Sequence, residues 1–390
     1  MAATYYNSLL PSSLVSYHGL ISKSDTLDVS YIRFSENSGK SWSEPLEYQT
    51  KFDRCGGTER RHLHGGVVIP GSGLYVNFSM HGIFPNDNPL EGMTHWKLSY
   101  SVSMDGGRTN IIEEQIIHEG MQYDEKHFMP GVTEGCNCVM IGDYGQRPLL
   151  RAGGLILMPV MTTPVGPDGR YFNPGGGYTW TDCMLLIGKI QPDHKIKWTC
   201  SERISLTPDK TTRGLIEPTI AELADGAILM VMRGSNDANP SLPGYKWYSL
   251  SKDGGYTWAM PEPWRYDTDE SFFSPSSCSQ LIPHSNGHLY WMGNITGENP
   301  KGNGPRYPLV LGEVDAQTGL LVKDSIAIVD DKQAGESPWL QLSSFYARED
   351  FETNDILLHM TRSYANDYRK NGVVDFTADA LLYRIKLKQS

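Results

Sequence analysis

Apolar and polar positions alternate in short runs along this chain, and one arrangement recurs. A β-type run is followed by turn residues containing Gly, then by a more apolar β run. Copies occupy Gly65 to Phe78, Arg147 to Val160, Glu217 to Val231, Ser277 to Trp291 and Ser343 to His359. Each reads as the inner hairpin of a sheet. Successive onsets lie 60 to 82 residues apart, which is room for four short strands with their loops. Residues 14–50 supply one further unit. Six such units arranged radially predict an all-β fold, a six-bladed β-propeller built as a single domain over residues 1–390. No stretch shows three or more turns of amphipathic helix. The connections 79–95, 111–146, 161–180 and 234–246 exceed hairpin length and are expected to line the functional face.

A second repeat sharpens this picture. Ser35 to Trp42, Ser103 to Asn110 and Ser251 to Trp258 share the frame S-x-[DN]-x-G-x-[ST]-[WN]. An Asp or Asn in such a frame accepts bonds from backbone N–H groups further on, and the Gly takes the left-handed conformation. Each copy therefore predicts a self-stabilised hairpin turn. Composition agrees: 40 Gly and 24 Pro in 390 residues demand many turns, and 21 Tyr with 9 Trp favour strands.

The net charge of −11 argues against a nucleic-acid partner, because the only dense basic cluster, Arg60 to His64, is too short to track a phosphate backbone. No window is apolar enough for a membrane helix, so no membrane partner is expected. Met1 to Leu10 shows no basic region and no long apolar stretch, so the chain as it stands reads as cytoplasmic; a trimmed chain would read the same and leave a secreted or periplasmic protein open. Six cysteines form no disulfide framework, and Cys136 and Cys138 lack a second pair at metal spacing. There is no H-E-x-x-H and no calcium loop, and Gly175 to Gly177 is not followed by Lys-Ser or Lys-Thr. No metal and no cofactor is therefore expected.

The S-x-D-x-G-x-T-W turns resemble the aspartate boxes of the sialidase (neuraminidase) superfamily, over about residues 35–390. The resemblance implies a six-bladed propeller, an arginine grip on a substrate carboxylate, and a Tyr nucleophile paired with a Glu. The segment from Glu217-Pro218 through Asp225-Gly226 to Arg233 resembles the family's Glu-Pro, Asp-Gly, Arg phrase. Glu217 is then the residue that polarises the Tyr, and Arg233 a carboxylate ligand. Arg306 resembles the next arginine of the grip. The family's early Arg-Ile-Pro has no counterpart, since the first arginine here is Arg33; Arg147 is a substitute from another unit. Leu342 stands where the nucleophile is implied, and Tyr346 lies several residues beyond it.

Other residues carry suitable chemistry of their own. His62 and His64 alternate on one face beside a strand start, where histidine serves as a general base near neutral pH. Tyr144 is a candidate proton donor. Arg61 and His127 are candidate substrate ligands; Trp264, Trp291 and Trp339 read as core or blade packing by default, with sugar stacking as the alternative. The catalytic candidates are thus Glu217, His64, His62, Tyr144 and Tyr346, with Arg233, Arg306, Arg147, Arg61 and His127 binding an acidic carbohydrate. Three functions follow. The first is hydrolytic release of a terminal sialic or uronic sugar. The second is a uronate-specific lyase or an unusual glycosidase with a His base, motivated by the absent Tyr. The third is a non-catalytic glycan-binding propeller. Oligomeric state is not legible.

Overall fold

The computed structural model describes residues 2–10, 12–21, 27–143 and 145–387. By contact, the chain divides into two compact units, one of residues 4–172 and 184–202, the other of residues 1–3, 173–183 and 203–390.

In the first unit, one antiparallel sheet runs Ala2–Leu10, Ser13–Leu20, Val29–Ser35, Leu46–Tyr48. The next runs Lys51–Arg54, Gly57–Ile69, Leu74–Phe84, Lys97–Ser103, Ile112–Gln115. A third is built on Val139–Met140, Leu149–Arg151 and Leu155–Thr162, continuing through Asp182–Ile190 and Ile196–Cys200. The second unit begins with Ile216–Glu222, Ile228–Arg233, Lys246–Ser251 and Glu262–Pro263. A sheet of Gln280–Pro283, Leu289–Asn294, Leu309–Val314 and Ala327–Asp330 follows. The last comprises Phe345–Glu349, Ile356–Thr361 and Ala380–Ile385, beside a two-residue ribbon. Six main sheets thus succeed one another along the chain, as the recurrent hairpins predicted. Among the described residues the only α-helix is the single turn Gly92–His95, and no helix is long and apolar enough to cross a membrane.

The three S-x-[DN]-x-G turns each join the last two strands of their sheets. At the third, Asp253 Oδ1 accepts the amides of Tyr256 and Thr257 at 3.0 Å, while Ser251 Oγ accepts the Gly255 amide at 2.8 Å. Asp105 repeats the pattern with Arg108 and Thr109. These bonds hold both carboxyls well below the usual carboxylate range.

Within the second unit, polar side chains lock neighbouring sheets together at their first strands. Thr219 Oγ1 accepts the Leu281 amide at 2.9 Å. The Gln280 amide donates to Ala347 O at 2.7 Å and accepts from Ala347 N at 2.9 Å. A side-chain amide thereby imitates one rung of a β-ladder. Around these bonds lie two apolar clusters, one centred on Trp264 and Trp291, the other on Leu340, Leu342 and Leu358. Trp264 and Trp291, read as core or stacking residues, are fully buried.

Three sequence expectations need correction. The first sheet starts at Ala2, ahead of residue 14. The hairpin expected from Gly65 extends back to Gly57, because the register shifts between Leu63 and Gly66 and the strand continues through the bulge at His64-Gly65. A Cβ at Gly66 would meet Val76 O at 2.0 Å, so that close approach requires glycine. The connections expected from 79 and over 111–146 are shorter. Phe78, Met80, Gly82 and Phe84 are buried in alternation and keep the strand going to Phe84, while Ile112–Gln115 pairs as an edge strand.

Candidate functional site

In the second unit the structure brings Glu217, Arg233 and Arg306 together. Ile216 pairs with Arg233 across the first hairpin, and the register then slips over Glu217-Pro218. Glu217 has φ 48°, the only non-glycine residue with positive φ that lies in a strand of the described residues. Such a backbone is costly for a side-chain-bearing residue, and more so ahead of proline. It bends the chain so that the Glu217 carboxylate meets Arg233, whose Nη1 donates to Oε2 at 2.6 Å. Both are largely buried, with side-chain exposures of 14% and 8%.

Ser276 and Asn303 join the two arginines. Arg233 Nε donates to Ser276 Oγ at 2.8 Å and its Nη2 to Asn303 Oδ1 at 3.1 Å. Arg306 Nε donates to the Asn303 carbonyl at 3.0 Å, its Nη2 to the Ser276 carbonyl at 3.2 Å, and its Nη1 to Gln341 Oε1 and Ser343 Oγ, both at 3.1 Å. Asn294 Nδ2 donates to the carbonyls of Arg306 and Pro308, which fixes the backbone that carries the guanidinium.

Two further cations belong to this cluster. Lys246 pairs with Arg233 in the sheet and is completely buried. Its Nζ donates to the carbonyls of Ser277 and Pro275, the residues flanking Ser276. Arg213 is buried, donates from Nη2 to Thr179 Oγ1 at 2.6 Å, and lies over the Tyr178 ring. The electrostatic outcome is a contest. Burial raises the Glu217 carboxyl, but Arg233, Arg306 and Arg213 together hold it below its usual value. Burial, aided by Arg233, pushes the Lys246 ammonium down to about 7. Glu217 is thus ionised at neutral pH and oriented by Arg233. Beside Arg306, a cavity of about 530 Å³ is lined by Glu298, Lys301, Pro305, Tyr307 and Asp331 among others.

The remaining candidates are elsewhere. Tyr346 is buried in Phe345–Glu349, opposite His359. Leu342 is wholly buried in the apolar core, so the position of the implied Tyr is a packing position.

In the first unit, His62 and His64 sit in the middle of a strand, because the strand begins at Gly57. His62 packs against Trp96 with ring centroids 4.8 Å apart. Burial, with Arg60 nearby, pushes its imidazole down to about 3; burial, with His62 nearby, does the same to His64. Both are neutral at physiological pH. Arg61 is turned to Glu59 at 2.6 Å and stacks on Phe52. His127 Nδ1 lies 3.0 Å from Thr133 Oγ1, and its ring stacks on Tyr123. Arg147 is half-buried just before Leu149–Arg151. Tyr144 lies outside the described residues.

Sequence reasoning missed Lys246, Arg213, Ser276 and Asn303. For Lys246 a signal existed: a lone lysine opens a strand whose partner strand ends in Arg233.

No family model and no curated protein matches the sequence. Solved structures do match. A protein of unknown function from Dyadobacter fermentans superposes with a TM-score of 0.59 at 14% identity, over 99% of this chain and 95% of that one. The Hadza microbial sialidase Hz136 gives 0.62 at 11% identity, over 99% of this chain and 65% of that longer one. The GH93 α-L-arabinofuranosidase of Fusarium graminearum, solved with arabinobiose, gives 0.53 at 15% identity, over 98% and 93%. The fold is that of a six-bladed β-propeller of the sialidase type, and at these identities the likeness speaks for the fold alone.

Proposed function

We propose that this protein is a carbohydrate-active enzyme of the glycoside hydrolase kind, releasing a terminal acidic sugar from a glycan. The observation that carries this reading is the charge of the Glu217 cluster. Within its unit, one carboxylate is faced by Arg233, Arg306, Arg213 and Lys246. Asp237 stands beside Arg213, and cations still outnumber anions. A buried cationic excess suits an anionic ligand, and guanidinium forks match a sugar carboxylate. Glu217, ionised and aimed by Arg233, supplies the proton acceptor or nucleophile. The sialidase and arabinofuranosidase neighbours support glycan chemistry on this fold without naming the sugar.

One observation favours a second reading, elimination from a uronate. Leu342 is core where a Tyr nucleophile was implied, which leaves Glu217 to take the proton beside the carboxylate.

The test is a product assay on sialosides and uronic-acid oligosaccharides, reading mass and ultraviolet absorbance together. A free acidic sugar with one added water means hydrolysis. A product lighter by that water, with new absorbance, means elimination. Binding without turnover means a lectin-like propeller, and indifference to both panels rejects an acidic substrate. Arg233→Ala should abolish any activity found; full activity in that variant would remove the carboxylate grip.

A further inference from the structure

Trp339 is 60% exposed, unusual for the largest apolar side chain. Its surroundings are built, not incidental. Its ring lies tilted against that of Tyr368, with centroids 5.2 Å apart and planes 30° apart. Tyr368 is braced edge-on by Tyr364 at 5.1 Å and capped by the Arg369 guanidinium at 5.6 Å. Tyr364 in turn meets Phe376. The indole is therefore braced from behind by aromatic rings while much of its surface faces solvent.

Its position in the chain ties it to the Glu217 cluster. Burial alternates from Trp339 to Leu342: Leu340 is 1% exposed and Leu342 0%, both in one apolar cluster, while Trp339 and Gln341 are directed away from it. Gln341 Oε1 receives Arg306 Nη1, and the Gln341 backbone bridges to Arg306 and to Ser363. Trp339 is two residues from that contact, so its Cα lies within about 7 Å of that of Gln341.

We propose that Trp339, backed by Tyr368, is a sugar-stacking subsite for a neutral residue of the glycan, next to the acidic sugar held at Arg306. The reasoning is chemical. A pyranose presents axial C–H groups on a flat face, and an indole braced by neighbouring aromatic rings offers a matching apolar surface at little cost in side-chain entropy. The guanidinium groups of the cluster suit the charge of an acidic sugar, and the exposed indole supplies an apolar face without charge. The two together select an oligosaccharide with an acidic end and a neutral neighbour. This subsite rests on the glycan reading above but not on the acidic part of it.

The experiment titrates the intact protein calorimetrically with lactose, sialyllactose and free sialic acid, and with xylotriose, its glucuronic-acid-capped form and free glucuronic acid. Trp339→Ala should weaken ligands that contain neutral sugars by about tenfold and leave the free acids unchanged. Trp339→Phe should recover part of the loss. Arg306→Ala should do the converse, weakening the acids and sparing lactose or xylotriose. Equal melting temperatures of wild type and Trp339→Ala confirm that the exposed site was removed without unfolding. Loss of neutral binding in Trp339→Ala with no acid dependence anywhere keeps the subsite and rejects the acidic substrate. Unchanged binding of every ligand in Trp339→Ala, equal weakening of the free acids, or a concentration-dependent dimer that Trp339→Ala abolishes overturns the subsite.

Discussion

The Glu217 cluster and the His62–His64 pair are two buried sets of titratable groups treated in opposite ways. At Glu217 burial is opposed by partners: Arg233 at 2.6 Å, then Arg306 and Arg213, keep the carboxylate charged. At His62 burial acts together with nearby Arg60, and at His64 together with His62, so both imidazoles are driven down to about 3. The difference shows how an interior stores charge. A buried ion persists only where reciprocal partners repay its lost hydration. The first region therefore keeps a buried charge, and the second stays neutral at physiological pH.

The largest expected effect comes from breaking the first region. Arg233→Ala leaves Glu217 buried without its closest partner, and denaturant unfolding should show a loss of about 3–5 kcal/mol. A loss under 1 kcal/mol would mean the pair is solvated and the contrast with the histidines is false.

Lys246 is the sharper probe, because it belongs to the charged cluster yet behaves as the histidines do. Its folded value is about 7 against an ordinary 10.5. Between these values the unfolded chain binds more protons than the native one, so stability rises with pH through the window from about 7 to 10.5. The slope from this one group can reach about 1.4 kcal/mol per pH unit. In Lys246→Met, urea midpoints measured from pH 6 to 10 should lose that rise. The variant also frees the carbonyls that flank Ser276, so Arg233 and Arg306 should bind an acidic sugar less well.

His64→Leu addresses the second region alone. A histidine with a folded value of about 3 and an unfolded value near 6.5 weakens the fold as pH falls through that window. The variant should flatten acid unfolding between pH 6.5 and 3 while leaving neutral-pH stability within about 1.5 kcal/mol. If it instead removes activity with the fold intact, the histidines act in the chemistry and elimination gains.

The smallest effect is reserved for the turns. Asp253→Ala removes bonds that organise one exposed connection. It should lower the melting temperature by a few degrees at most and leave ligand binding unaltered.

Much of this fold was legible because it repeats. A hairpin recurring every 60 to 82 residues and three turns of one frame state a radial all-β architecture before any contact is known. Glu217, Arg233 and Arg306 were legible only as a resemblance. Their convergence depends on a slipped register at Glu217-Pro218 and on Asn303 and Ser276 arriving from distant turns, which no local pattern encodes. Lys246 was hidden because a lysine at a strand start ordinarily faces water. The histidines misled for a related reason: the strand runs back through the His64-Gly65 bulge, so residues that looked like a strand entrance lie in mid-strand.

The Glu217–Arg233–Arg306 cluster is proposed to bind an acidic sugar, and the decisive measurement is calorimetric titration of wild type and Arg306→Ala with sialic, glucuronic and galacturonic acids. At least one acid should bind the wild type, and Arg306→Ala should weaken that acid by about tenfold or more. Binding that ignores Arg306, or no binding of any of the three acids at millimolar concentration, would contradict it.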